Sequence, residues 1–236
     1  KEGLYEFNDF HDQIFDFTMF SCSEKDEMIT LDEYISDYSN DKKKIYYISG
    51  ENKENLMNSP QMELFKNKKI NVLLVTDPVD EFWMPMKMKF KDFEFTSITK
   101  GEVDIGDSSK KEKEVKESKE VSDFIVYLKE HLKEKVKDVK VSKRLTTSAS
   151  CLVADENDMD MHLKKLMAAN NQTINDEKRI LEINIDHSLV SKMQMLEKKQ
   201  KDKFSEILYD HAKLMEGENL DDPKKYTNLI AELVSL

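Results

Sequence analysis

The chain has 236 residues, of which 39% are hydrophobic and 36% charged, a balance that allows a core beneath a highly charged exterior and argues against a disordered chain. Its formal net charge of −11 and pI near 5.1 oppose a phosphate backbone, and no basic stripe interleaved with aromatics offsets them, so nucleic acid is not an expected partner. The longest apolar runs, such as Val72 to Val75, fall far short of the roughly 18 residues a spanning helix needs, so no membrane partner is expected either. Lys1 and Glu2 lead into no hydrophobic signal core, and the absence of an initiator Met places the expected N-terminus upstream. Cys22 and Cys151 stand far apart and the five histidines form no zinc spacing, which predicts buried thiols, a reducing compartment and no metal site.

From Thr30 to Tyr38, apolar residues Leu31, Tyr34, Ile35 and Tyr38 recur at helical spacing. Ile45 to Ile48 then forms a short β-prone run. A polar stretch containing Gly50, a helical segment near Pro60 to Lys66 and a second buried-type strand from Ile70 to Thr76 follow. This order predicts a βαβ unit with parallel strands, extended by another strand over Met88 to Thr96. Residues 106–120 (GDSSKKEKEVKESKE) carry five Lys against five acidic residues in alternation, the pattern of a solvated linker or a frayed helix start rather than a binding tract.

Beyond that linker, Val121, Phe124, Ile125, Leu128, Leu132 and Val136 define one long amphipathic helix. Two β-prone runs, Val139 to Val141 and Ala149 to Ala154, come next, and Leu181, Ile183 and Ile185 alternate with Glu182 and Asn184 as a half-buried strand does. Phe204, Ile207, Leu208, His211, Ala212 and Met215 form a helical stripe that Gly217 ends. Asp222 as N-cap and Pro223 at the first helical position then open a last helix, whose apolar face is Tyr226, Leu229, Ile230, Leu233 and Val234. The apolar surface of this hairpin exceeds what one neighbour covers, so pairing with an identical chain into a four-helix bundle is expected.

No catalytic motif appears: GxSxG, GxxxxGK[ST], GxGxxG and HExxH are all missing, and five glycines are too few for a phosphate-cradling loop. His187, in the run Asp186-His187-Ser188, is read as part of a helix start capped by Asp186 or Ser188 rather than as a hydrolase base. More informative is the segment from Glu156 to Met167, where acidic residues open a short helix and Met159, Leu163, Leu166 and Met167 fall on one stripe. Core packing is the ordinary reading of such a stripe, and a flexible thioether surface for variable partners is the alternative. A second cluster, Phe82 to Met86, follows the acidic turn Asp77 to Glu81 at the exit of a parallel strand, where α/β sheets place ligand and partner contacts.

Several ordered blocks then acquire a common meaning. Ile45 to Gly50, Asn58 to Pro60 and Val72 to Glu81 resemble the distal middle domain of heat-shock protein 90 chaperones, and Val136 to Leu145, Asn184 to His187 and Asp221 to Pro223 resemble the C-terminal domain in the same order, with the HtpG branch the best fit. The resemblance implies a parent that binds and hydrolyses ATP with Mg upstream of Lys1, clamps as a homodimer and remodels unfolded or partly folded client proteins. It implies that this stretch is not itself an enzyme and holds no cofactor. It also implies client contact at Glu81, Phe82 and Trp83 and at Met159, Leu163, Leu166 and Met167. The family pattern places Trp directly after the Asp-Glu pair, whereas here Phe82 intervenes, so either ring is a candidate. The ending Val234-Ser235-Leu236 lacks the acidic tail of eukaryotic cytosolic members, which points to the cytoplasm of a bacterium before an organellar matrix.

The fold class expected is thus α/β followed by α+β. A small distal middle subdomain occupies residues 1–105, a charged linker 106–120, and a C-terminal dimerisation domain 121–236. The dimer interface is assigned to Phe204, Ile207, Leu208, His211, Met215, Tyr226, Leu229, Ile230 and Leu233. A purely structural dimerisation module without client contact is the competing reading.

Overall fold

The computed structural model describes residues 1–6, 10–38, 42–102, 105, 119–156, 158–169 and 178–235. The architecture is mixed α/β, with ten α-helices and two sheets among these residues. Two compact units emerge: Lys1–Gly106 with Glu156–Asn175, and Asp107–Asp155 with Asp176–Leu236. Most of the charged linker, residues 106–118, lies outside the described residues, as does the polar run at 170–172.

The first unit contains α1 (His11–Phe17), β1 (Met19–Cys22), β2 (Ile29–Thr30), α2 (Leu31–Tyr38), β3 (Lys44–Ser49), α3 (Lys53–Asn58), α4 (Glu63–Lys68), β4 (Leu73–Val75), α5 (Asp80–Trp83), β5 (Lys89–Phe90), β6 (Phe93–Ser97) and α7 (Met161–Ala169). Its sheet has the order β2-β1-β4-β3-β6-β5. β3 runs parallel to both β4 and β6, while the β1–β2, β1–β4 and β5–β6 pairs are antiparallel. The expected βαβ order is present, with β4 shorter than the Ile70–Thr76 run and Met88–Thr96 divided into a hairpin. That division falls at Lys91, whose φ of +54° turns the chain. α1, β1 and β2 carry no periodic signal long enough to read from sequence, since the strands hold four and two residues.

β3 explains why its sequence is continuously apolar. Ile45 and Tyr47 enter one cluster with Phe15, Phe20, Leu73 and Trp83, whereas Tyr46 and Ile48 enter another with Leu56, Phe65, Val72 and Ile98. Gly50 follows at the strand end, where a Cβ would meet Leu56 Cδ2 at 2.7 Å, so a larger residue there makes the Leu56 side chain shift. α2 begins with a reciprocal capping box: Glu33 Oε2 accepts from the Thr30 N–H at 2.7 Å, and Thr30 Oγ1 accepts from the Glu33 N–H at 3.2 Å. The Thr30 N–H, together with the Thr30 hydroxyl that donates to the same oxygen at 3.0 Å, holds the Glu33 carboxyl below its ordinary value. The buried Tyr34 hydroxyl donates to the Asn71 carbonyl at 2.8 Å and accepts from the Tyr46 N–H at 3.1 Å, pinning α2 beside β3 and β4.

The second unit contains α6 (Lys119–His131), β7 (Asp138–Val141), β8 (Ser150–Val153), β9 (Ile180–Ile183), α8 (Ser188–Gln194), α9 (Lys198–Met215) and α10 (Pro223–Val234). Its sheet has the order β7-β9-β8, with β7 parallel and β8 antiparallel to β9. α6 and α9 close one core with Val139, Leu152, Leu181 and Ile183. α9 lies on β8, and Ser150 Oγ donates to the Leu208 carbonyl at 2.7 Å. Both cysteines are buried free thiols.

β9 departs from the half-buried strand its alternation suggests, because Glu182 and Asn184 are buried as well. Arg144 is the reason. Its Nε and Nη2 donate to the two Glu182 carboxylate oxygens at 3.0 Å each, and Ser142 Oγ adds a bond of 2.7 Å. A bidentate, buried pair tolerates loss of one partner poorly, since the survivor keeps its charge in a dry site. Arg144→Ala or Glu182→Ala is expected to cost this unit about 3–5 kcal/mol. Replacing the pair by Met and Leu together is expected to cost far less. Urea unfolding followed through hydrogen exchange of the β9 amides checks both.

Candidate functional site

The acidic turn after β4 leads into α5, where neighbouring residues part. Asp80 is buried and receives a bond of 2.7 Å from Trp83 Nε1 and one of 2.5 Å from Lys1 Nζ, yet burial outweighs both donors and pushes its carboxyl above the ordinary value. Trp83 is 0% exposed and packs edge-on against Phe15, Phe20 and Phe95 at centroid distances of 5.4, 6.3 and 5.1 Å. Phe82 is 54% exposed beside Tyr5, at 5.9 Å between rings. Of the two candidate rings, Phe82 is therefore the one at the surface.

The Met-rich helix α7 belongs to the same unit and is fixed at its start. Asp160, 4% exposed, accepts from Ser49 Oγ at 3.3 Å, Ser97 Oγ at 3.0 Å, Thr99 Oγ1 at 2.8 Å and the His162 N–H at 3.1 Å. Burial pushes the neighbouring Tyr47 phenol upward, and the Asp160 and Glu81 carboxylates add to the effect. Two residues beyond Asp160, His162 Nδ1 lies 2.7 Å from Glu81 Oε1, with both side chains nearly covered. Leu163 is buried, while Met159, Leu166 and Met167 are half-buried. The structure thus brings Glu81 against the start of the Met helix, a proximity that 81 residues of sequence separation conceal, and places Phe82 in the same unit. Asp160 and His162 escaped the sequence reading because neither lies on the apolar stripe.

At the other predicted site, the stripe of α9 divides. Phe204, Ile207 and Leu208 point into the core of their own unit. His211, Tyr226, Ile230 and Leu233 are half-buried and Leu229 is buried, whereas Met215 is 39% and Val234 81% exposed. Asp222 caps α10 as expected, accepting from the Lys225 N–H at 2.8 Å. The cap of α8 is different from the one expected: neither Asp186 nor Ser188 serves, and the His187 ring does, its Nδ1 accepting from the Leu189 N–H at 3.1 Å. Imidazole reaches the amide two residues on, and the backbone donor fixes Nδ1 as the unprotonated nitrogen.

The Hsp90 protein family model matches residues 1–236. The chain belongs to the Hsp90 family. Among curated relatives it is similar to the chaperone protein HtpG of Geobacter sulfurreducens, 35% identical over 245 residues covering 99% of this chain, and to that of Bdellovibrio bacteriovorus, 37% identical over 240 residues and again 99% of the chain. The chaperone protein HtpG of Mycobacterium tuberculosis is 37% identical over 243 residues, 98% of the chain. The chain spans 38% of the length of the first two relatives and 37% of the third. Among the described residues no helix is long and apolar enough to cross a membrane, and no group of three or more His, Cys, Asp or Glu is placed to hold a metal ion.

His211 carries a pH dependence into the second unit of this family segment. Burial, and then the nearby His187, hold the His211 imidazole below its ordinary value of 6.5, so the folded state favours the neutral ring. Protons bind the unfolded chain more readily, so this contribution is complete above about pH 6.5 and is lost as pH falls toward the lowered folded value. Thermal unfolding of the second unit is therefore expected to weaken on acidification below about pH 6.5, and His211→Gln is expected to flatten that slope.

Proposed function

We propose that this chain is the C-terminal part of an ATP-dependent chaperone of the HtpG kind, working in the bacterial cytoplasm. In it, residues 1–105 form the distal middle subdomain, 106–120 the connector and 121–236 the dimerisation domain. The chain supplies homodimerisation and part of the surface that holds unfolded or partly folded clients. The observation that carries the client reading is the grouping of exposed Phe82 and half-buried Met159, Leu166 and Met167 in one unit, beside the acidic Glu81. Apolar side chains of adaptable shape suit clients of no fixed sequence, and the negative field favours basic segments. ATP and Mg belong to the parent. The described residues here offer neither a metal-holding group nor a glycine-rich loop at a helix start, so they do not fit those ligands and no step runs through them.

Dimerisation rests on the hairpin of α9 and α10. Its inner stripe is occupied within the subunit, and the outer residues Leu214, Met215 and Val234 remain exposed, with His211, Tyr226, Ile230 and Leu233 half covered. Two such edges pairing about a two-fold axis make a four-helix bundle. Light scattering at micromolar concentration is expected to give twice the chain mass of 27.7 kDa, and Met215→Asp with Val234→Asp to halve it without unfolding the unit. A monomer in the unsubstituted chain overturns this part.

A purely structural module without client contact is the second reading, favoured by the burial of Glu81, Trp83 and Leu163. Binding of a permanently unfolded basic protein, such as reduced and carboxamidomethylated lysozyme, separates the two. Changing Met159, Leu163 and Leu166 together to Ser is expected to weaken affinity about tenfold, as loss of a small apolar hot spot does. Unchanged affinity leaves the structural reading standing.

A further inference from the structure

Two of the side chains assigned to client contact are covered by one and the same set of bonds. Glu81 is engaged by His162, and Leu163 is turned under α7 immediately after it. Of its described side chains Leu163 is buried and Leu166 and Met167 are half-buried, and the helix start is tied to its surroundings by three hydroxyl donors to Asp160 and by the His162–Glu81 pair. These polar ties fix where the helix start sits. A carboxylate in a cradle of neutral hydroxyls is also held less firmly than one facing a cation, because water replaces hydroxyl donors at little loss.

We propose that α7 is a latched helix, closed by Asp160 in the Ser49–Ser97–Thr99 cradle and by His162 on Glu81, and that its release uncovers Leu163 and the Glu81 carboxylate for an unfolded segment carrying apolar and basic residues. Asp160 and His162 are positioning residues: they act through α7 and Glu81 rather than by touching the client. The described arrangement is the closed one. A client that binds only the released form pays its closing equilibrium, so its apparent affinity is reduced by the fraction of chains that are open. The consequence for clients rests on the client-surface reading above, while the latch itself does not.

Hydrogen exchange of the whole chain tests the latch directly. Ser97→Ala with Thr99→Val empties two arms of the cradle but leaves Asp160 capping the His162 N–H, and His162→Ala removes the second tie. In both variants the 161–169 amides are expected to exchange at least several-fold faster while those of β4 do not change, and His162→Asn, whose amide nitrogen takes the place of Nδ1 as a donor toward Glu81, is expected to restore slow exchange. Affinity for reduced, carboxamidomethylated lysozyme, an unfolded basic chain, is expected to rise by the same factor as the exchange rate. Unchanged exchange in both variants overturns the latch. Affinity that falls as exchange quickens overturns its closing role. If the Met159, Leu163 and Leu166 triple Ser variant binds that lysozyme as well as the unsubstituted chain, the client reading fails, and the exchange data still decide the latch.

Discussion

A chain with 36% charged residues can close a core only where every charge carried inward finds donors or an opposite charge, and this requirement shapes both units. Glu182 meets the Arg144 fork, Asp80 meets Lys1 and the Trp83 ring nitrogen, Glu81 meets His162, and Asp160 meets three hydroxyls and an amide. Each arrangement fixes a neighbour. Arg144 ties the loop after β7 to β9, Asp80 orients the largest core ring, and Asp160 decides where α7 lies. The apolar clusters supply the bulk of the stabilising burial, and these polar groups decide which way the elements that bear them are turned.

The four differ in the strength of their partners, and that difference has functional content. The Arg144–Glu182 pair is bidentate and enclosed, so it opens only with the unit that contains it. The Asp160 cradle is neutral and sits at a helix start, where water replaces hydroxyl donors at little loss, so it opens at lower cost. Rigid scaffold and movable surface are thus built from the same chemistry with different counter-groups.

The hairpin of α9 and α10 shows a related division of labour along one stripe. Phe204, Ile207 and Leu208 hold the helix to β8, and the residues nearer the chain end remain partly open. A helix read only by its spacing presents a single apolar face. Packing apportions that face between the subunit's own sheet and what lies outside it, and the apportioning follows from where the sheet ends.

Much of the fold was legible from short-range pattern: the doubly buried β3, the amphipathic α6, although it ends at His131 and the expected stripe residues Leu132 and Val136 lie beyond it, α9 stopping at Gly217 with φ +69°, and the Asp222–Pro223 start of α10. These depend on residues within a few turns of one another, which periodicity and capping report directly. The family blocks were legible for the same reason, as local strings. The β1 and β2 strands, the ring that caps α8, the burial of Glu182 and the seat of α7 were not. A strand of two residues has no period, a histidine cap differs from the usual oxygen acceptors, and a buried carboxylate is recognised only by partners far away in sequence. Sequence by itself determined the element types, the charge balance and the candidate surfaces. Tertiary structure alone decided that Phe82 faces out and Trp83 in, and that Asp160, 111 residues from Ser49, is where the Met helix is held, because donors for a buried charge are supplied by folding and not by neighbours in the chain.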